Sequence, residues 1–337
     1  MSTTQLPQPT PKNVIRDTAL RNQLLKRRER LEDAIPETRQ PEPLVALLRE
    51  VDSALERMQA GTFGICETCH DTIESDRLLA DPLCRNCLDH LSPAEQRALE
   101  RDLDLAYQVQ RGLLPRADIA PKGWRMAYQY EPLGAVSGDY CDLIVLEDGT
   151  GYFLLGDVMG KGVAASMLMS HLHAIFRSLT MATRQVHELV AKANRIFCEG
   201  TLSTFFATLV CGRLDMDGEV EICNAGHCHP LHLHGGTVSR IDSTGLPLGL
   251  FNDAEYTSCR KTLAPDDTLL VYSDGLSEAS NAASEQYGVE RLSQALGRHG
   301  ALVPDRLVAA LVANWDGFRS SAPRTDDWTV MAVRREG

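Results

Sequence analysis

The stretch Tyr152–Phe176, YFLLGDVMGKGVAASMLMSHLHAIF, decides how the rest of this 337-residue chain is read. Tyr152 to Leu155 is a short apolar run that reads as a buried strand. Gly156, Gly160 and Gly162 then mark a sharp turn. From Val163 to Phe176, apolar residues return at Ala164, Leu168, His171/Leu172 and Ile175, a helical spacing. Asp157 therefore sits at a strand end, at the mouth of a glycine turn, with a helix behind it. Such an aspartate can cap a turn or hold a metal or a phosphate.

Other acidic residues stand at similar places. SGDYCD carries Asp139 and Asp142, YSDGLSEA carries Asp274, and RTDDWTV carries Asp326 and Asp327. They adjoin segments that read as strands, Leu143–Leu146, Leu269–Tyr272 and Thr329–Val333. Strand-edge carboxylates spread over the chain can converge on hard divalent cations, because carboxylate oxygens suit Mg or Mn. A nucleotide P-loop is the competing reading of GDVMGKG. Gly156 is one residue too close to Gly160, and Gly162 stands where a Ser or Thr would be needed to reach the magnesium.

The ordered motifs GDYCD, GDVMGKG, NAGHCHP (Asn224 to Pro230), SDGLSEA and DDWTV resemble a metal-dependent, PPM-type (type 2C) protein phosphatase of the SpoIIE branch, over about Leu105 to Arg335. The resemblance implies an α+β fold: a PPM-type β-sandwich of two sheets flanked by helices. It implies two Mn or Mg ions. Asp157 would bridge them, with the Val158 carbonyl completing one shell, Asp139 on the second ion, and Asp274 and Asp326 on the first. Asp142, Asp327 and Lys161 are supporting candidates. Two cations sharing a water lower its pKa from ~15.7 toward ~7, which gives a nucleophile without a protein side chain. The implied substrate is phosphoserine or phosphothreonine on a regulatory protein, such as an anti-sigma-factor antagonist. A non-catalytic zinc-finger regulator that uses a phosphatase-like domain only for binding is the alternative.

Composition narrows the class. The net charge of −12 argues against broad nucleic-acid binding, which needs clustered Lys and Arg. No apolar run approaches the ~20 residues of a membrane span, and MSTTQLPQPTPK lacks a signal h-region. Ten cysteines, four at metal spacing and six scattered, fit a reducing cytoplasm. Cys141, Cys198, Cys211, Cys223, Cys228 and Cys259 read as small core residues, with Cys141 exposed to oxidation if the acidic site opens near it.

Five segments are expected: a disordered tail over 1–12, a helical hairpin over 13–60, a zinc finger over 61–90, a linker helix over 91–115 and the catalytic domain over 116–337. The hairpin rests on Leu20, Leu24 and Leu31, and on Leu44, Leu48, Val51, Leu55 and Met58, with prolines between. Cys66, Cys69, Cys84 and Cys87 give C-x2-C-x14-C-x2-C, close to a zinc ribbon. Four thiolates would close a tetrahedral shell around one structural zinc. His70 and His90 read as surface residues beside it. AGTFGIC and RLLADPLC resemble the DksA/TraR zinc finger. The tip IPETRQPEP lacks that family's acidic-alanine motif, so RNA polymerase is not an expected partner.

Ser92-Pro93-Ala94-Glu95 reads as a helix start. Leu99, Leu103, Ala106, Gln110 and Leu113 then form a stripe ending before Pro115. A polar Gln110 in such a seam can specify a partner, and the resemblance implies a homodimer formed through this helix. Beyond it, strands are expected at Arg125–Glu131, Leu143–Leu146, Gly151–Gly156, Phe205–Leu214, Glu219–Asn224, Leu231–His234, Thr268–Tyr272 and Thr329–Val333. Helices are expected at Val163–Thr180, Thr183–Glu199, Gly288–Gly297 and Pro304–Phe318. His227, His229, His232 and His234 could form a metal site of their own, but imidazole suits zinc or copper and not the hard cations wanted here.

Overall fold

The computed structural model describes residues 11–37, 41–74, 77–78, 81–91, 93–116, 119–202 and 204–337. Residues 1–10 of the expected tail over 1–12, the tip residues 38–40 and the cap at Ser92 lie outside them; Pro11 and Lys12, expected in that tail, already belong to the first helix. The chain divides into Met1–Arg101 and Asp102–Gly337, so the boundary falls inside the linker helix. No helix among the described residues is long and apolar enough to cross a membrane.

In the first unit, α1 (Pro11–Ala34) and α2 (Glu42–Gln59) pack side by side. Pro41 and Pro43 stand at the start of the second helix, where the donor that proline lacks is not needed. Leu24, Leu31, Val51 and Ala54 form the seam, and Arg28 donates to Asp52 across it at 2.8 Å. Below the seam, Leu20 packs with Ile73, Leu78 and the buried cysteines. That cluster is the small core of the cysteine module.

The second unit holds most of α3 (Pro93–Leu113) and two five-stranded antiparallel sheets. The first sheet runs β2 (Asp139–Val145), β3 (Gly151–Val158), β4 (Ala207–Leu214), β5 (Glu219–Ala225) and β8 (Cys259–Thr262). The second runs β1 (Trp124–Glu131), β10 (Trp328–Arg335), β9 (Thr268–Tyr272), β6 (Leu231–His234) and β7 (Thr237–Arg240). Alternation along the strands makes the inner faces apolar. Leu143, Phe153, Leu155 and Val210 meet Leu269, Val271, Met331 and Val333 in a dry layer between the sheets.

Helices α4 (Val163–Leu179) and α5 (Val186–Gly200) cover the outer face of the first sheet. After the short α6 (Asp274–Ser277), helices α7 (Gly288–His299) and α8 (Pro304–Arg319) cover the second. This is the expected two-sheet sandwich flanked by helices. The buried stripe of α4 is Ala165, Met169, Leu172 and Phe176, while Ala164 faces solvent. The helix is apolar almost all round, so periodicity alone did not decide between neighbouring stripes. Two short edge strands, β7 and β8, were not expected from the sequence. Each is mostly polar and borrows its order from the neighbour it pairs with.

Candidate active site

Both sheets deliver acidic residues to one end of the sandwich. In the first sheet, Asp139 opens β2 and pairs in register with Asp157 near the end of β3. The strand begins at Asp139 itself, four residues before the expected Leu143, because pairing with β3 recruits the DYCD segment. In the second sheet, Asp274 follows β9 and Asp326 precedes β10, and those two strands are hydrogen-bonded neighbours.

Close backbone approaches pack these ends together. A Cβ on Gly275 would overlap the Asp327 carbonyl, so glycine is what lets α6 start against the Asp326–Asp327 turn. A Cβ on Gly138 would sit 3.0 Å from the Val158 carbonyl oxygen and 3.2 Å from Ala165. That carbonyl is therefore held beside Asp139.

Asp139 is fully buried, and two hydroxyls fix one of its oxygens: Ser273 Oγ donates to Oδ2 at 2.8 Å and Thr329 Oγ1 at 2.5 Å. Burial pushes its carboxyl up to about 7. The charges of Asp327 and Asp274 add to that, while the two hydroxyls oppose it. Asp157 is pushed further, to about 8, by burial and then by repulsion from Asp139, Asp274, Asp326 and Asp327. Asp274 is raised by burial, Glu278 and Asp326. The cross-strand pairing of Asp139 with Asp157 supplies such a like-charged neighbour, which disfavours the ionised form of each. Lys161 answers one of them, with Nζ 3.0 Å from Asp326 Oδ2 and donating to the Thr325 carbonyl at 2.6 Å.

Asp327 turns the other way. Its two oxygens accept the backbone N–H groups of Leu133 at 2.6 Å and Gly138 at 3.0 Å, which fastens the loop leading into Asp139. Asp142 is not brought to the cluster. It lies fully buried on the helix side of the first sheet, where Arg177 of α4 grips both oxygens at 2.8 and 2.6 Å. Tyr140 donates to it as well, at 3.3 Å. Sequence reasoning saw an aspartate beside a motif, whereas strand geometry and an arginine 35 residues away decide its role.

Gln110 is also placed differently from the expected seam. It is buried, and its side-chain amide exchanges two hydrogen bonds with the Ser137 peptide: Nε2 donates to the carbonyl at 2.7 Å, and Oε1 accepts the N–H at 3.0 Å. The outward residues of this helix are Leu105 and Val109, 61% and 58% exposed. The histidines of NAGHCHPLHLH divide among three places, His229 lying 3.6 Å from Asp242. His227 is buried against Thr208, at 2.8 Å, and Asn224, while His232 and His234 both bond Asp267. Cys141 lies in the core between the sheets, where burial holds its thiol far above its usual range; it is protected and not exposed to oxidation.

The first unit offers a second donor cluster. Cys66, Cys69, Cys87 and His90 present one ligand atom each, all within 4.8 Å of one another; among the described residues this is the group with metal-like spacing. Cys84 lies outside it, its sulfur 3.8 Å from Asp81 Oδ2.

Comparison with known proteins agrees with the fold. The family model for Stage II sporulation protein E (SpoIIE) matches residues 147–336, more than half of the chain. Protein IcfG of Synechocystis is 26% identical over 266 residues, covering 69% of this chain and 41% of that protein. Phosphoserine phosphatase RsbP of Bacillus subtilis is 26% identical over 183 residues, covering 52% and 45%. The chain thus spans less than half the length of these two relatives. The SiaA-PP2C domain of Pseudomonas aeruginosa superposes with a TM-score of 0.65 at 18% identity, over 73% of this chain and 100% of that domain, which shows a PP2C-type fold.

Proposed function

The chain belongs to the SpoIIE family, and on that premise we propose that it is a metal-dependent serine/threonine phosphatase acting on a phosphorylated regulatory protein. One observation carries the reading: strand pairing sets Asp139 opposite Asp157, while Asp274 and Asp326 sit at the adjoining ends of the paired strands β9 and β10. Carboxylates gathered in this way fit hard divalent cations, Mn or Mg, and suit no soft metal. A relative named as a phosphoserine phosphatase supports the substrate class.

In this assignment Asp157 would serve both ions, the Val158 carbonyl would complete one shell, Asp139 would hold the second ion, and Asp274 and Asp326 the first. Two ions bound there would acidify a shared water and offset charge on the phosphoryl oxygens. The chain's own residues prepare the place. Ser273 and Thr329 orient Asp139, Asp327 fastens the Leu133–Gly138 loop, and half-exposed Lys161 holds Asp326 and offers a positive charge to an incoming phosphate. The substrate would be a cytoplasmic partner such as an anti-sigma-factor antagonist. The exposed Leu105 and Val109 face is assigned to a second copy of the chain, and the cysteine cluster of the first unit to one structural zinc.

Calorimetric titration of chain freed of Mn and Mg tests the ligand assignment. Two Mn should bind; Asp157→Asn should weaken both events and Asp274→Asn only one. Unchanged binding in both variants would refute it.

A further inference from the structure

Building on the zinc reading of the first unit, we propose that the ion is held by Cys66, Cys69, Cys87 and His90, and that Cys84 is not a ligand. The set reads C-x2-C-x17-C-x2-H, a Cys3His site in place of the four-cysteine ribbon suggested by C-x2-C pairs alone.

Donor spacing carries the argument. Tetrahedral zinc with Zn–S near 2.3 Å and Zn–N near 2.0 Å places neighbouring sulfurs about 3.8 Å apart and a sulfur and nitrogen about 3.6 Å apart. Cys69 Sγ and Cys87 Sγ are 3.7 Å apart, and Cys87 Sγ lies 3.2 Å from His90 Nδ1. All four donors fall within 4.8 Å of one another, so one point can be reached by each.

Two similar turns build the set. In the first, the His70 N–H donates to the Cys66 carbonyl at 3.0 Å, folding Cys66 and Cys69 onto one side. In the second, the His90 N–H donates to the Cys87 carbonyl at 3.0 Å, and Glu74 caps the turn through the Leu88 N–H at 3.2 Å. Residues three apart on a tight turn project together, so Cys87 pairs forward with His90. Cys84, three residues back, belongs to a different turn and lies outside the donor group. There the Leu83 N–H donates to Asp81 Oδ1 at 3.1 Å, and the Cys84 N–H to the Asp81 carbonyl at 3.2 Å. The Cys84 carbonyl accepts from Arg57 at 3.3 Å. This leaves the Cys84 sulfur beside a carboxylate, a poor neighbour for a thiolate ligand. To reach the ion, the Cys84 sulfur would have to leave Asp81.

Zinc X-ray absorption on the purified full-length chain, with metal content of its variants, tests the assignment. The expected first shell is three sulfurs and one nitrogen. Cys84→Ser should keep one zinc, His90→Cys should keep it with a four-sulfur shell, and His90→Ala should bind zinc at least ~100-fold more weakly, since loss of an outer-shell partner alone costs 10–100-fold. A native four-sulfur shell, or zinc lost in Cys84→Ser and kept in His90→Ala, would overturn the ligand set. A chain that takes up no zinc at all would instead overturn the zinc reading beneath it.

Discussion

Gln110 and Ser137 are locked together amide to peptide, with a donor and an acceptor satisfied on each side. Ser137 in turn accepts the Asp139 N–H on its Oγ at 3.0 Å, so the helix entering the domain is two hydrogen-bonded steps from an acidic-site residue. Replacing Gln110 with Leu leaves a buried N–H and a buried carbonyl unpaired, each worth about 1–3 kcal/mol. The expected loss is about 2–4 kcal/mol of domain stability, together with reduced turnover as Asp139 loosens. Denaturant melts and phosphatase kinetics on wild type and Gln110→Leu measure both. A more stable or equally stable variant would show that the side chain serves an outer seam instead.

Asp142 and Arg177 form a structural pair outside the metal chemistry. Removing the guanidinium with Arg177→Met strands a buried carboxylate, which costs about 3 kcal/mol even with the Leu143 N–H still bound at 2.8 Å. The double variant Arg177→Met/Asp142→Asn should recover part of that loss, and neither should change Mn affinity. Weakened Mn binding in the double variant would put Asp142 back among the metal ligands.

His227 sets an acid limit. Burial lowers its pKa from an ordinary 6.5 to about 4, so the folded protein binds fewer protons than the unfolded chain between those values. Stability contributed by the neutral ring is complete above about pH 6.5 and falls as pH drops toward 4, by roughly 3 kcal/mol in all. Asp139 and Asp157, whose carboxyls are raised, pull the other way over this range. The slope is therefore read as the difference between wild type and His227→Gln in urea denaturation between pH 4.5 and 7. An unchanged slope in the variant would assign the acid sensitivity to other groups.

Much of this was legible in the sequence. Motif order placed Asp139, Asp157, Asp274 and Asp326 beside strands, and short apolar runs located most strands of the sandwich. Contacts set by tertiary structure were not legible. Nothing near Asp139 announces Thr329, 190 residues away, or Ser273, 134 away, because sheet pairing alone brings those hydroxyls to it. Asp142 and Gln110 misled for the same reason: each was judged by its neighbours in sequence, and each is claimed by a partner from another element. In the first unit, the proposed ligand set turns on His90, which joins the donor cluster only once the turns are folded.

The central claim is most directly tested by phosphate release from a phosphoserine peptide, with chain stripped of Mn and Mg and then resupplied. Turnover should be absent in excess EDTA, return on adding Mn or Mg, and fall by about 100-fold or more in Asp157→Asn, since that carboxylate is assigned to both ions. Equal turnover with and without EDTA, or a fully active Asp157→Asn, would contradict the account.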